Sequence, residues 1–243
     1  MRTLVKQILP TVFRNRLRGF LPAIFFRRVS YSQCGEDLII NFVLNLICGR
    51  GPKRYLDVGA NHPFHLSNTA LLYRAGGHGV LVEPDPYFAK LLMRRRPRDT
   101  VLQVGVHFSG QTEADFFILD TPTLNTFARV EMERYVGMGH KLLKSISVEL
   151  VNINSLLDSA GELDFLNLDI EGLDKTIIDM IDWQMHRPAC VCVETVSYET
   201  NKEPNKSYDI IKFMQSVGYF HFADTYINSI FVDRSRWRAS WNK

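Results

Sequence analysis

Apolar residues recur along this chain in two rhythms. Between Gly35 and Cys48, the side chains Leu38, Ile39, Phe42, Val43 and Leu46 follow at three- and four-residue steps. That spacing predicts an amphipathic helix, and "GRGP" from Gly49 ends it. Further on, short apolar runs alternate with helical patterns. Strands are expected at Arg54–Val58, Val80–Glu83, Val101–Val106, Leu163–Asp169 and Cys190–Glu194, with a short one over 113–118. Helices are expected at about Ser67–Arg74, Pro86–Arg96 and Ser207–Ser216, and from about Asp174. "GYFHFAD" and "NSIFVD" read as a closing strand pair, while residues 120–147 are polar and less regular. Alternation of strand and helix implies right-handed crossovers onto a mostly parallel sheet with helices on both faces.

At 243 residues the chain suits one large α/β domain. A net charge of +3 is too mild for a nucleic-acid surface, so no nucleic-acid partner is expected. The charge is uneven, however: Arg2, Lys6, Arg14, Arg16, Arg18, Arg27 and Arg28 all precede the first acid, Glu36. Residues 1–30 therefore form a basic amphipathic segment ahead of a domain spanning 31–243. Leu4, Ile8, Phe13, Leu17, Phe20 and Phe25 are available to face away from its arginines. Such a segment suits peripheral contact with an anionic membrane; the plainer reading packs it on the domain or on a second copy in a homo-oligomer. Cys190 and Cys192 alternate within "ACVCVET" and read as buried thiols on one strand face. Reduced cysteines and the absence of any ~20-residue apolar run fit a cytoplasmic protein, membrane-associated at most on the cytoplasmic face.

The chemistry gathers at the strand ends, where open α/β sheets bind their ligands. The tips read Asp57-Val-Gly59, Glu83-Pro-Asp85-Pro86, Asp169-Ile-Glu171-Gly172 and Glu194-Thr195, a carboxylate at each. Helix capping accounts for any one of these acids but less readily for all four. Gly59 permits close approach and unusual dihedrals, and a helix start capped by Ser67 or Asn68 offers N–H groups to an anion. Glu83 stands where an acid accepts hydrogen bonds from both ribose hydroxyls. "GANHPF" lacks the later glycines of the dinucleotide fingerprint. A cofactor with a ribose and a carboxylate but no phosphate fits better, which points to S-adenosylmethionine.

The blocks "YSQCGEDLII", "LDVGANHPFHLSNTALLYRAG", "VEPDP", "DFLNLDIEGLD" and "GYFHF…NSIFV" resemble, in order and spacing, the FkbM family of methyltransferases from about Tyr31 to Val232. The resemblance implies a Rossmann-like class I methyltransferase fold: a mostly parallel seven-stranded sheet whose last strand is antiparallel. It implies O-methylation of a hydroxyl on a sugar in a glycan, glycolipid or glycosylated natural product, hence a carbohydrate or glycolipid acceptor. On the same analogy Asp57, Gly59, Ala60 and Asn61 line the methionine end of the cofactor, Glu83 and Pro84 hold the ribose, and Gly105 passes the adenine. Ser67 is a further candidate contact whose plainer role is a helix cap. Asp169 and Glu171 would stand where the methyl group is delivered, and residues 120–147 would shape the acceptor pocket.

A sugar hydroxyl holds its proton tightly and needs a base or a metal beside it. Asp169, Glu171 and Glu194 are candidates for the base, and Asp169 with Glu194 for a Mg²⁺ site. His65 is the alternative base, and His62 more simply serves the turn. Ser30 or Ser32, with Glu36, reads as a capping arrangement that also brings Gln33 and Asp37 toward the cofactor. A nicotinamide-dependent oxidoreductase and a non-catalytic scaffold are the competing readings. The missing glycines count against the first, and the intact row of acids against the second.

Overall fold

The computed structural model describes Pro22 and residues 27–106, 110–170, 172–198 and 204–241. The basic segment 1–30 thus falls almost wholly outside the described residues, as does Glu171. Among the described residues no helix is long and apolar enough to cross a membrane.

The sheet grows outward from β1 (Arg54–Val58), which is flanked in parallel by β2 (His78–Val82) and β7 (Phe165–Leu168). With β3 (Thr100–Leu102), β8 (Cys190–Glu194), β11 (Tyr219–Asp224) and β12 (Asn228–Asp233), the order is β11-β12-β8-β7-β1-β2-β3. β12 runs antiparallel to both of its neighbours, β8 and β11. The sheet is thus seven-stranded and mostly parallel with an antiparallel last strand, as expected for a Rossmann-like class I methyltransferase fold. The connection reverses direction between β1 and β7, so the carboxyl ends of those strands open a crevice.

Strand alternation divides the core in two. Leu56, Leu166 and Val191 face one side, against α5 (Ile153–Ala160), α6 (Asp174–Met180) and α7 (Tyr208–Ser216). Tyr55, Phe165, Cys190 and Cys192 face the other, against α1 (Glu36–Ile47), α2 (Ala70–Arg74) and Leu92 of α3 (Pro86–Arg95). Both thiols are fully buried on one face, as their spacing required. Burial raises their pKa values, which keeps them inert.

Three expectations are corrected. The strand anticipated at Val101–Val106 breaks after Leu102. Its second half, β4 (Gly105–Val106), joins a separate sheet with β5 (Glu113–Leu119) and β6 (Leu142–Val151) in the order β4-β6-β5. The irregular stretch 120–147 contains a 3₁₀ turn (Pro122–Leu124), α4 (Arg129–Gly137) and the start of β6. Charged and polar residues dominate there because this cap has one thin apolar layer, Phe116, Ile118 and Val148, rather than two covered faces. The helix after β1 is shorter than expected: Ser67 and Asn68 belong to its lead-in, and Thr69 is its N-cap. The pattern also missed α5, whose N-cap Asn152 accepts from Asn154 N–H at 2.8 Å, and α8 (Arg234–Trp241). β9 (Val196–Tyr198) and β10 (Pro204–Lys206), a small two-stranded sheet, were likewise unexpected.

A buried polar chain pins β1 to its surroundings. Arg96, at the end of α3, is fully buried. It donates to Asp99 (2.7 Å), to the Tyr55 hydroxyl (3.0 Å) and to the Thr69 hydroxyl (3.0 Å). Thr69 donates in turn to Asp57 on β1, whose other carboxylate oxygen accepts from Asn167 of β7 at 2.9 Å. Removing the cation would strand two buried carboxylates, a change that typically costs ~3–5 kcal/mol. The Arg96→Leu variant should therefore show a urea midpoint lowered by that free energy divided by the slope, with the slope itself unchanged. A midpoint within experimental error of wild type would show that the chain does not carry that load.

Candidate active site

The stretch "DVGAN" leaves β1 under tight constraint. Gly59 has φ +84°, and a Cβ there would lie 1.9 Å from the Asp169 carbonyl oxygen on the neighbouring strand end. Only glycine meets both conditions. The amides of Gly59 and Ala60 donate to the Val82 carbonyl (3.0 and 3.1 Å), and Asn61, itself at φ +46°, donates its N–H to Glu83 (2.7 Å). Here the structure departs from expectation: these amides, and that of Ala70, which donates to Ser67 Oγ at 3.2 Å, are spent inside the rim rather than offered to an anion. Ser67 is thus a brace within the helix lead-in, two residues before the N-cap Thr69, and it also lines the cavity described next.

A cavity of about 460 Å³ opens above this rim, a volume suited to a nucleoside-sized ligand. Its floor holds Gly59, Ala60, Asn61, Glu83, Pro84 and Asp169, and Gly105 stands at one side. Asp57 reaches it too, but with both oxygens bonded to protein groups and only 2% exposure it serves mainly to hold the floor. His65, Glu194 and Gln33 also line it. The cap forms the opposite wall through Phe116, Phe127, Tyr135 and His140. The Phe127 ring sits where a Gly105 side chain would collide with it, at 2.5 Å from an added Cβ. Side-chain contacts tie cap to rim: Asn125 Nδ2 donates to Asp85 (3.1 Å) and Asn61 Nδ2 to the Pro122 carbonyl (3.4 Å).

The acids behave differently from one another. Glu83 accepts from the amides of Asn61 and Asp85, each at 2.7 Å, one per oxygen, which leaves a lone pair on each for a ligand. Burial outweighs those bonds and pushes its carboxyl up to about 8. Asp169 takes no hydrogen bond from any described residue. Burial, then the charges of Asp57 and Glu36, raise its pKa, and Asp174 beside it is raised by burial and by Asp169. Glu36 instead accepts from Cys34 N–H, Thr225 and Asn228, which clamps α1 to the β11–β12 turn. Asp37 accepts from Ser30, Tyr31 N–H and Ser32, but the N-cap of α1 is Gly35 and not a serine, so Ser30 and Ser32 brace Asp37 instead of capping the helix, and Gln33 is carried to the cavity. His62 Nδ1 accepts from the amides of Phe64 and His65, the turn role expected of it, and burial lowers its pKa. The candidate Mg²⁺ pair Asp169 and Glu194 both line the cavity, yet among the described residues no group of three or more His, Cys, Asp or Glu converges as an ion would require.

The sequence reading overlooked the cap wall residue by residue. His140 was the most findable, since a histidine just after "MG" ends α4 within the stretch already assigned to the acceptor.

A family profile described as "Methyltransferase FkbM domain" matches residues 57–220, more than half of the chain. No curated protein sequence matches the chain. Solved structures resemble it at low identity. An S-adenosylmethionine-dependent O-methyltransferase from Thermotoga maritima is 15% identical with a TM-score of 0.43, covering 87% of this chain and 69% of that one. A methyltransferase from Geobacter sulfurreducens is 8% identical with a TM-score of 0.46, covering 93% and 96%.

Because an added methyl at Gly59 must displace a strand-end carbonyl, Gly59→Ala should lose about 2–4 kcal/mol of stability. Thermal melts would measure it; an unchanged melting temperature would mean that the rim yields freely.

Proposed function

The chain belongs to the FkbM methyltransferase family; from that premise we propose that it works with S-adenosylmethionine and methylates a hydroxyl oxygen of a carbohydrate or glycolipid acceptor. The cofactor supplies, when bound, a methyl group on a positively charged sulfur. The residues present fit it. The cavity has nucleoside dimensions, Glu83 keeps a lone pair on each buried oxygen for ribose hydroxyls, and Gly105 and Val106 line the side assigned to the adenine. The acidic floor of Asp57 and Asp169 favours a cationic ligand over an anionic one.

Transfer of this kind is an in-line displacement, so the chain's work is alignment and exclusion of water. Asp169 carries the proposal for the acceptor. Asp169 lines the cavity and its carboxylate takes no hydrogen bond from any described residue, and such a group accepts from a hydroxyl. A sugar offers several hydroxyls; binding one of them at Asp169 orients the ring and presents a neighbour to the methyl group. His65 and Glu194 line the same space and are assigned to the acceptor's remaining hydroxyls. Glu171, by its place in the sequence, would join them. No step is routed through a metal.

Two measurements test this. Calorimetry should show S-adenosylmethionine binding, and NAD not binding. Glu83→Ala should weaken the former by ~1.5–3 kcal/mol, the usual loss for a charged hydrogen-bond acceptor. The ribose needs the carboxylate form of Glu83. Affinity should therefore rise as pH is raised through about 8 and level off above it, and Glu83→Gln should flatten that rise. Unchanged affinity in both variants would remove Glu83 from the site. For the acceptor, labelled methyl transfer should be screened over sugar nucleotides and lipid-linked oligosaccharides. With the acceptor found, Asp169→Asn should depress turnover more than cofactor affinity; full turnover would exclude the positioning role.

A further inference from the structure

The reacting hydroxyl must give up a proton, and the cavity floor is a poor place to leave it. Asp169 lies among Asp57, Glu36 and Asp174, beneath whatever occupies the cavity, with no described basic partner to compensate a change in its charge. The cap wall offers a different arrangement. Two described histidines line the cavity, His65 and His140. His65 packs edge-on against His62, the ring centroids 6.0 Å apart, and among the described residues no carboxylate pairs with it. His140 has one: its Nδ1 lies 3.5 Å from Asp120 Oδ1 and 3.2 Å from the Thr121 hydroxyl. The ring is further fixed by edge contact with Tyr135 at 6.3 Å and by donation from its own N–H to the Tyr135 carbonyl at 3.1 Å.

This deepens the reading proposed above and rests on it: we infer that His140, oriented by Asp120, is the base that accepts the proton of the reacting hydroxyl. With Nδ1–H directed at Asp120 and Thr121, Nε2 carries the free lone pair. As the acceptor oxygen forms its bond to the methyl carbon and the carbon–sulfur bond breaks, the O–H pair stays with oxygen and the proton passes to Nε2. The sulfur leaves neutral. The resulting imidazolium is compensated by the Asp120 carboxylate, and the proton then goes to solvent. Both side chains are suited to that last step, being about one-third exposed, at 32% and 36%. Asp120 is held in the carboxylate form: its pKa is lowered by the Lys141 backbone amide and by His140. The other charged and titratable groups near the ring are Lys141, the Tyr135 hydroxyl, and Arg134, whose guanidinium lies 4.4 Å from the Tyr135 ring and is paired with Glu131. None of them supplies a second carboxylate to Nδ1.

The test uses the full chain, S-adenosylmethionine and the first hydroxyl acceptor from the screen. His140→Gln should lower turnover by roughly 10²–10⁴-fold, the range for a lost general base, with cofactor affinity by calorimetry within about twofold of wild type. Asp120→Asn, which removes the charge that favours imidazolium, should give an intermediate loss and move the acidic limb of the turnover–pH profile to lower pH, as a merely structural contact would not. Turnover within about twofold of wild type in His140→Gln overturns the assignment, as does a matching loss of cofactor affinity or an unmoved limb in Asp120→Asn. If wild type binds the cofactor yet methylates no hydroxyl in the panel, the proposed function itself fails and this assignment falls with it.

Discussion

The structure depends on a carboxylate buried in the middle of the sheet. Asp57 sits in β1 between Leu56 and Val58 with only 2% exposure, and burial alone would drive it toward its neutral form. Thr69, Asn167 and, through Thr69, Arg96 offset that cost. Because those partners come from the α2 lead-in, from β7 and from the end of α3, satisfying one acid fixes the relative height of three elements. A buried charge is expensive unless every partner arrives together, so the arrangement admits one register of β1 against β7.

That register is what the rim requires. With Asp57 opposite Asn167, Gly59 falls against the Asp169 carbonyl and its missing side chain becomes the point where two strand ends meet. The amides around it turn inward to Val82 and Glu83. What faces the cavity is therefore side-chain acid rather than backbone N–H, which suits a cation-bearing ligand and not a phosphate.

How much of this could be read from residues alone follows from where the constraints are local. The strands β1, β7 and β8 are short, mostly buried runs, and Gly59, Glu83 and Asp169 mark the ends of β1, β2 and β7 by type and place. Their partners were invisible because they are far away in the chain: nothing near Asp57 announces Asn167 or Arg96. Ser67 looked like an anion-site cap, but its oxygen is committed to Ala70 by a turn that pattern does not encode. The cap resisted for a different reason. Its strand β6 has five exposed residues in its first six positions, so alternation is weak, and β4 contributes two residues only. His140 meets Asp120 across twenty residues, through a contact made only when α4 folds back.

The cap begins and finishes in one place. Gly105 and Val106 lie alongside Leu150 and Val151, so the whole excursion between them closes on itself. An excursion whose two ends already touch adds little loop-closure entropy to the fold when its length changes. Among the described residues, side-chain bonds from Asn61 and Asn125 join it to the rim. On the proposed function, the wall assigned to the acceptor can therefore be rebuilt, lengthened or traded while the rim keeps its shape, so that acceptor choice and cofactor use would be separable.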